Sequence, residues 1–157
     1  MTARPSTPAQ AWAALVDGNH RFVTGNPAHP NQDVDRRAAL AGEQVPFAAL
    51  FGCADSRLSA EIIFDVGLGD LFVVRNAGQV IAETILGSLE YAVEVLGVSV
   101  VLVLGHDECG AIRATMDSSS GKLRTKGEFI QNIVARIQPT VTNAFANGKH
   151  HIDEVTE

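Results

Sequence analysis

Three short stretches of this chain, Phe47 to Gly52, Leu71 to Arg75 and Ser99 to Leu104, are apolar at consecutive positions rather than alternate ones, apart from Arg75 and Ser99 at their ends. A strand with no polar face is buried on both sides, as in a parallel sheet covered by helices. Around these runs the apolar positions fall into a helical period instead. Thr7-Pro8-Ala9-Gln10 reads as a helix start, with Thr7 as N-cap, Pro8 in the first turn and Gln10 completing a capping box. Trp12, Leu15, Val16, Phe22 and Val23 then share a face, and Gly25 ends the helix. Pro27 and Pro30 mark a loop, and a short helix is expected from Asp33 to Ala41. Further helices are expected over Ser59 to Phe64 and Ala82 to Leu96, the latter with Gly97 just beyond its end. Another begins near Cys109. A long one carries Ile130, Ile133, Val134, Ile137, Val141 and Phe145, interrupted or kinked near Pro139.

The alternation of buried strands with helices predicts an α/β fold. The expected architecture is one domain over residues 1–157, with a mostly parallel central sheet flanked by helices and an N-terminal helical arm. If the second strand lies outside the first, the order 2-1-3 results. The switch point, where such sheets bind ligands at the carboxyl ends of their strands, then falls between strands 1 and 3.

Composition narrows the function. Net charge is −6, from 12 basic and 18 acidic residues. That argues against a nucleic-acid or anionic-membrane surface, which needs a basic patch. No apolar run approaches the roughly 20 residues of a membrane helix. Met1 to Gln10 lacks the apolar centre of a signal peptide, so a cytoplasmic location is expected. The chain has two cysteines, and in an intracellular protein these are more often metal ligands or reactive thiols than a disulfide.

Both cysteines sit where a buried strand should end. The first strand runs into Cys53-Ala54-Asp55-Ser56-Arg57, which sets a thiol, a carboxylate and a guanidinium at every second residue. The third runs into Gly105-His106-Asp107-Glu108-Cys109-Gly110. Zinc takes thiolate and imidazole ligands, and three protein ligands with one open position is its catalytic pattern. Cys53, His106 and Cys109 supply three. Two thiolates cancel the charge of the ion and acidify its water less than three histidines would, so outer groups have to assist. Asp55 is suited to accept a hydrogen bond from the metal's hydroxide, and Arg57 to pair with Asp55 and keep it off the metal. Two other readings stay open at this point. The cysteines could be inert core thiols, or Cys109 a nucleophile with His106 as its base, which leaves Cys53, Asp55 and Arg57 without a role. Asp55 and Arg57 could also be an ordinary surface ion pair.

At these residues the chain resembles the β-class carbonic anhydrases, whose zinc signature is Cys-x-Asp-x-Arg followed by His-x-x-Cys-Gly. The likeness extends to Gly18-Asn19-His20-Arg21-Phe22, to Gly69 through Ala77, and to Gly87 through Val93. The resemblance implies one zinc per chain on Cys53, His106 and Cys109, with an Asp55–Arg57 catalytic dyad. It implies reversible hydration of CO2 to bicarbonate and a proton by zinc-bound hydroxide. It also implies that Gln44, Phe72, Ala77 and Tyr91 line the substrate site, and that the protein associates as a homodimer or homotetramer. Carbonyl sulfide or carbon disulfide hydrolysis on the same site is the alternative chemistry, and a zinc-holding sensor module the non-enzymatic one.

Three departures from the family pattern stand out. Asp107 and Glu108 bring extra negative charge beside the metal. Leu50 replaces the Trp of a bicarbonate-inhibited subgroup, although Arg75 of that pocket is kept. Family chains also continue past the point where this one stops, and nothing from Ile152 to Glu157 reads as a strand. The expectation is therefore a C-terminally truncated form, with the place beside strand 3 left for a missing edge strand.

Overall fold

The computed structural model describes residues 4–123 and 127–156. Its three strands, β1 (Ala48–Cys53), β2 (Leu71–Asn76) and β3 (Val101–Leu104), form a parallel sheet in the order β2-β1-β3, flanked by helices, as the sequence predicts. The helices are α1 (Pro8–Val23), α2 (Val34–Ala39), α3 (Ala60–Ile63), α4 (Glu83–Glu94), α5 (Gly110–Ser119), α6 (Glu128–Ala146) and α7 (Ile152–Thr156). Among the described residues no helix is long and apolar enough to cross a membrane.

Two compact units make up the chain. The first comprises Met1–Phe51, Ser56–Val74 and Ala82–Val103; the second comprises Gly52–Asp55, Arg75–Ile81 and Leu104–Glu157. The bodies of the strands thus belong to the first unit and their carboxyl-terminal residues to the second.

In the first unit β1 is buried at every position, as its uniform apolarity requires. Ala49 packs with Ala92 and Val98, and Phe51 with Val74 and Ile85; Phe72 and Leu89 contribute to both clusters. The flanking strands depart from the expectation of burial on both faces. β2 is mostly half-buried. β3 alternates, with Val101 and Val103 exposed by 40% and 61%. β3 stands at the end of the three-stranded order, and a strand in that position is bordered on one side only.

α1 begins at Thr7, whose hydroxyl accepts from the Gln10 N–H at 3.2 Å. The return contact of the capping box lies one residue further out. Gln10 Oε1 accepts from the Ser6 N–H at 2.9 Å rather than from Thr7. α1 meets α3 through Gly18, where an added Cβ would stand 1.8 Å from the Phe64 carbonyl oxygen. The next turn of α1 carries Arg21, which pairs with Asp65. Asp65 is 2% exposed and also accepts from the Ala28 and His29 N–H groups at 2.8 and 2.9 Å. Burial alone would raise its pKa, but those amides and the Arg21 guanidinium outweigh it and hold the carboxyl below its ordinary value.

In the second unit Ile137, Val141, Ala144 and Val155 form the core, with Ala111, Ile112 and Met116 of α5 against them. α6 is one continuous helix with Pro139 inside it, so the expected interruption does not occur. The chain from Ile152 forms a short helix, α7, that the sequence did not announce; Glu157 lies outside the described residues.

Candidate metal centre

Cys53, His106 and Cys109 all belong to the second unit, and their ligand atoms lie within 4.8 Å of one another. Tetrahedral zinc, about 2.3 Å from sulfur and 2.0 Å from nitrogen, separates its ligand atoms by roughly 3.5–3.8 Å. The three donors therefore need only a small contraction to share one ion. Cys53 is the last residue of β1, Cys109 is the N-cap of α5, and the segment after β3 supplies His106. Both thiols are buried and neither is in a disulfide.

The imidazole is set for ligation. His106 Nδ1 lies 2.8 Å from the Asp107 carbonyl oxygen. A carbonyl only accepts, so Nδ1 must carry the proton and Nε2 must present a lone pair. Nε2 is buried, and it is the one buried side-chain nitrogen or oxygen among the described residues with no hydrogen-bond partner. An unsatisfied buried polar atom is costly in a core and is what a metal ligand looks like without its ion. Burial pushes the Cys109 thiol up from its ordinary range. The Ile112 and Ala111 amides pull against that shift, and the adjoining Cys53 adds to it. A divalent cation between the sulfurs reverses this balance, because thiolate is the form that binds it.

The loop bearing His106 and Cys109 is held from both ends. Glu108 has φ +53°. Its N–H donates to Asp153 Oδ1 of α7 at 3.3 Å, and its carboxylate pairs with Arg113 of α5. Part of the added negative charge expected beside the metal is thus offset by a guanidinium one turn away.

Behind Cys53, two further contacts escaped the sequence reading. The Gly78 N–H donates to Cys53 Sγ at 3.4 Å, and Arg75 donates to the Cys53 and Asp55 carbonyls. The only signal for them was the cluster Arg75-Asn76-Ala77-Gly78 at the end of a strand.

Of the remaining predicted residues, Asp55 is half-buried and Arg57 exposed, and both make interactions. Phe72 on β2 and Tyr91 on α4 come together in the first unit, with ring centroids 6.0 Å apart. Gln44 is exposed in the loop before β1, and Ala77 lies in the turn after β2.

The carbonic anhydrase family model matches residues 48–157. Carbonic anhydrase 2 of Mycobacterium tuberculosis is 53% identical over 152 residues, covering 96% of this chain and 72% of that protein. The carbonic anhydrase of Mycolicibacterium smegmatis is 51% identical over 149 residues, covering 95% and 72%. Among solved structures, the β-carbonic anhydrase CcaA superposes with a TM-score of 0.67 at 26% identity, covering 92% of this chain and 66% of that one. On sequence, sheet order and a converging Cys-His-Cys group alike, the chain belongs to the β-carbonic anhydrase family.

Proposed function

We propose that this chain is a zinc-dependent carbonic anhydrase, hydrating CO2 reversibly to bicarbonate and a proton. The observation that carries the reading is the convergence of Cys53 Sγ, Cys109 Sγ and a ring nitrogen of His106 within 4.8 Å, with His106 Nε2 buried and lacking a hydrogen-bond partner. Zinc bound there supplies the Lewis acidity that makes a hydroxide nucleophile available near neutral pH.

The chain's own residues do the rest. Cys53 and Cys109 neutralise the ion, and the Nδ1–H contact of His106 fixes the ring so that Nε2 faces it. Asp55, two residues beyond Cys53, accepts a hydrogen bond from the nucleophile and orients it. Arg57, two further on, keeps Asp55 ionised and away from the metal. By the family resemblance, Phe72, Tyr91, Ala77 and Gln44 are the residues assigned to substrate binding.

Self-association as a homodimer or homotetramer belongs to the same reading. It is supported by Trp12, Val16 and Val23, which are exposed along α1, an apolar stripe of the kind that marks an interaction surface. Metal analysis of the purified chain, together with stopped-flow turnover of CO2 and of carbonyl sulfide, tests the proposal. One zinc per chain with CO2 hydration is the expected result. A metal-free chain, or turnover of carbonyl sulfide alone, refutes it.

A further inference from the structure

Arg75 stands near the end of β2, and its guanidinium is engaged by main chain. Nε donates to the Cys53 carbonyl at 2.8 Å and Nη2 to the Asp55 carbonyl at 2.6 Å. One planar fork bridges the residue that offers a thiolate and the residue that offers a carboxylate. Between them the Ala54 N–H donates to the Asn76 carbonyl at 2.8 Å. Asn76 in turn fastens its own loop. Its Oδ1 accepts from the Val80 N–H and its Nδ2 donates to the Val80 carbonyl, both at 2.7 Å. Three consecutive residues, Cys53, Ala54 and Asp55, are therefore tied to the segment that starts at Arg75. All of these groups lie within the second unit.

We propose that Arg75 is a positioning residue for the metal centre, setting the separation between Cys53 and Asp55. The inference rests on the reading of Cys53 as a metal ligand and Asp55 as the acceptor beside it. The physical ground is the guanidinium itself. It is always charged and holds its donors in a rigid plane, so two acceptors on one edge are fixed relative to each other as well as to the arginine. Beyond the last residue of β1 the main chain keeps the Ala54 bond to Asn76, and the fork adds a bond on either side of it, at Cys53 and at Asp55. Catalytic constellations depend on such supporting contacts, because small displacements of a reacting group are costly.

The test uses the full chain with Arg75→Gln and Arg75→Lys. Cobalt(II) replaces zinc, since its absorption reports ligand identity and geometry, and zinc affinity is measured by competition with a chelator. Folding is followed by circular dichroism. In Arg75→Gln the cobalt spectrum is expected to shift and zinc affinity to fall about ten- to a hundredfold, the usual cost of losing an outer partner of a metal site. In Arg75→Lys, whose single ammonium lacks the fork, a smaller shift in the same direction is expected. A folded Arg75→Gln chain with unaltered spectrum and affinity overturns the inference, and so does one that only melts earlier. If Arg75→Gln does not fold, Arg75→Lys decides by the same readouts, an unaltered spectrum again counting against the proposal. Failure of the unmodified chain to bind cobalt at all would instead refute the metal-site reading beneath it.

Discussion

The main-chain N–H of Gly78 lies against the sulfur of Cys53, 3.4 Å away, in a place that favours glycine. Gly78 has φ +74°, and an added Cβ would stand 2.6 Å from Ile137 Cδ1 and 2.8 Å from Ala111 Cβ. Gly78→Ala therefore meets backbone strain and overpacking together, each worth about 1–3 kcal/mol. A lower melting temperature is expected, with weaker zinc binding as the amide is pushed off the sulfur. Unchanged thermal unfolding would mean that the turn relaxes without cost.

Cys109→Ser separates ligation from folding. The serine hydroxyl is a good N-cap, so α5 should keep its start and the circular dichroism spectrum its shape. Zinc content and CO2 hydration should both be lost, since a neutral hydroxyl is a poor substitute for thiolate. Full zinc occupancy in this variant would remove Cys109 from the ligand set.

Asp55→Asn should retain zinc while losing activity by about ten- to a hundredfold, because it removes the anionic acceptor without touching Cys53, His106 or Cys109. Arg57→Ala should impair turnover as well, by releasing Asp55 toward the metal. Activity of either variant at the unmodified level would reduce the pair to a structural contact.

Asp65 gives the first unit a definite response to acid. Its folded pKa lies below the ordinary 3.8 despite burial. The stabilisation it provides is thus fully present above the unfolded value and is lost as pH falls through the folded one. Asp65→Asn leaves the Ala28 and His29 amides and Arg21 poorly matched, which should cost about 1–3 kcal/mol at neutral pH. As pH falls below the ordinary 3.8 and through the folded value, the unmodified chain should lose its advantage over the variant. Denaturant unfolding of both across that range checks it, and parallel pH profiles would contradict the assignment.

What could be read ahead of the structure was local. β1 announced itself by six consecutive positions suited to burial, and the grouping of Cys53, His106 and Cys109 by short motifs placed where strands end. Chemistry that depends on residue type and spacing within one turn survives in the sequence. Contacts set by the return of a distant segment do not. Arg75 could be matched to a family pocket from sequence, but its fork on the Cys53 and Asp55 carbonyls is seen only when β2 is laid beside β1. The tie from Asp153 to Glu108 depends in the same way on where α7 comes to rest, and α7, with only Ile152 and Val155 buried, is too short to carry a period. The open place beside β3 was expected, but the exposure of Val101 and Val103 was not. A run of valine and leucine says that a strand is apolar, but not how well its faces are covered.

The order β2-β1-β3 also bears on how this protein comes to be assembled in time. Parallel neighbours cannot be joined by a tight turn, so β1 must wait for chain far away in sequence before β3 can dock beside it, and contacts of that kind form slowly. Cys53 travels with β1, while His106 and Cys109 follow β3. Before those strands meet there is no three-ligand site, only isolated thiols and an imidazole. On the proposed reading, metal capture would therefore be a late event that ratifies a completed strand pairing, and its free energy would be drawn into the stability of the native state. Zinc uptake during refolding should lag behind the appearance of helix and coincide with the last structural phase, making the ion a clock for the final step of folding.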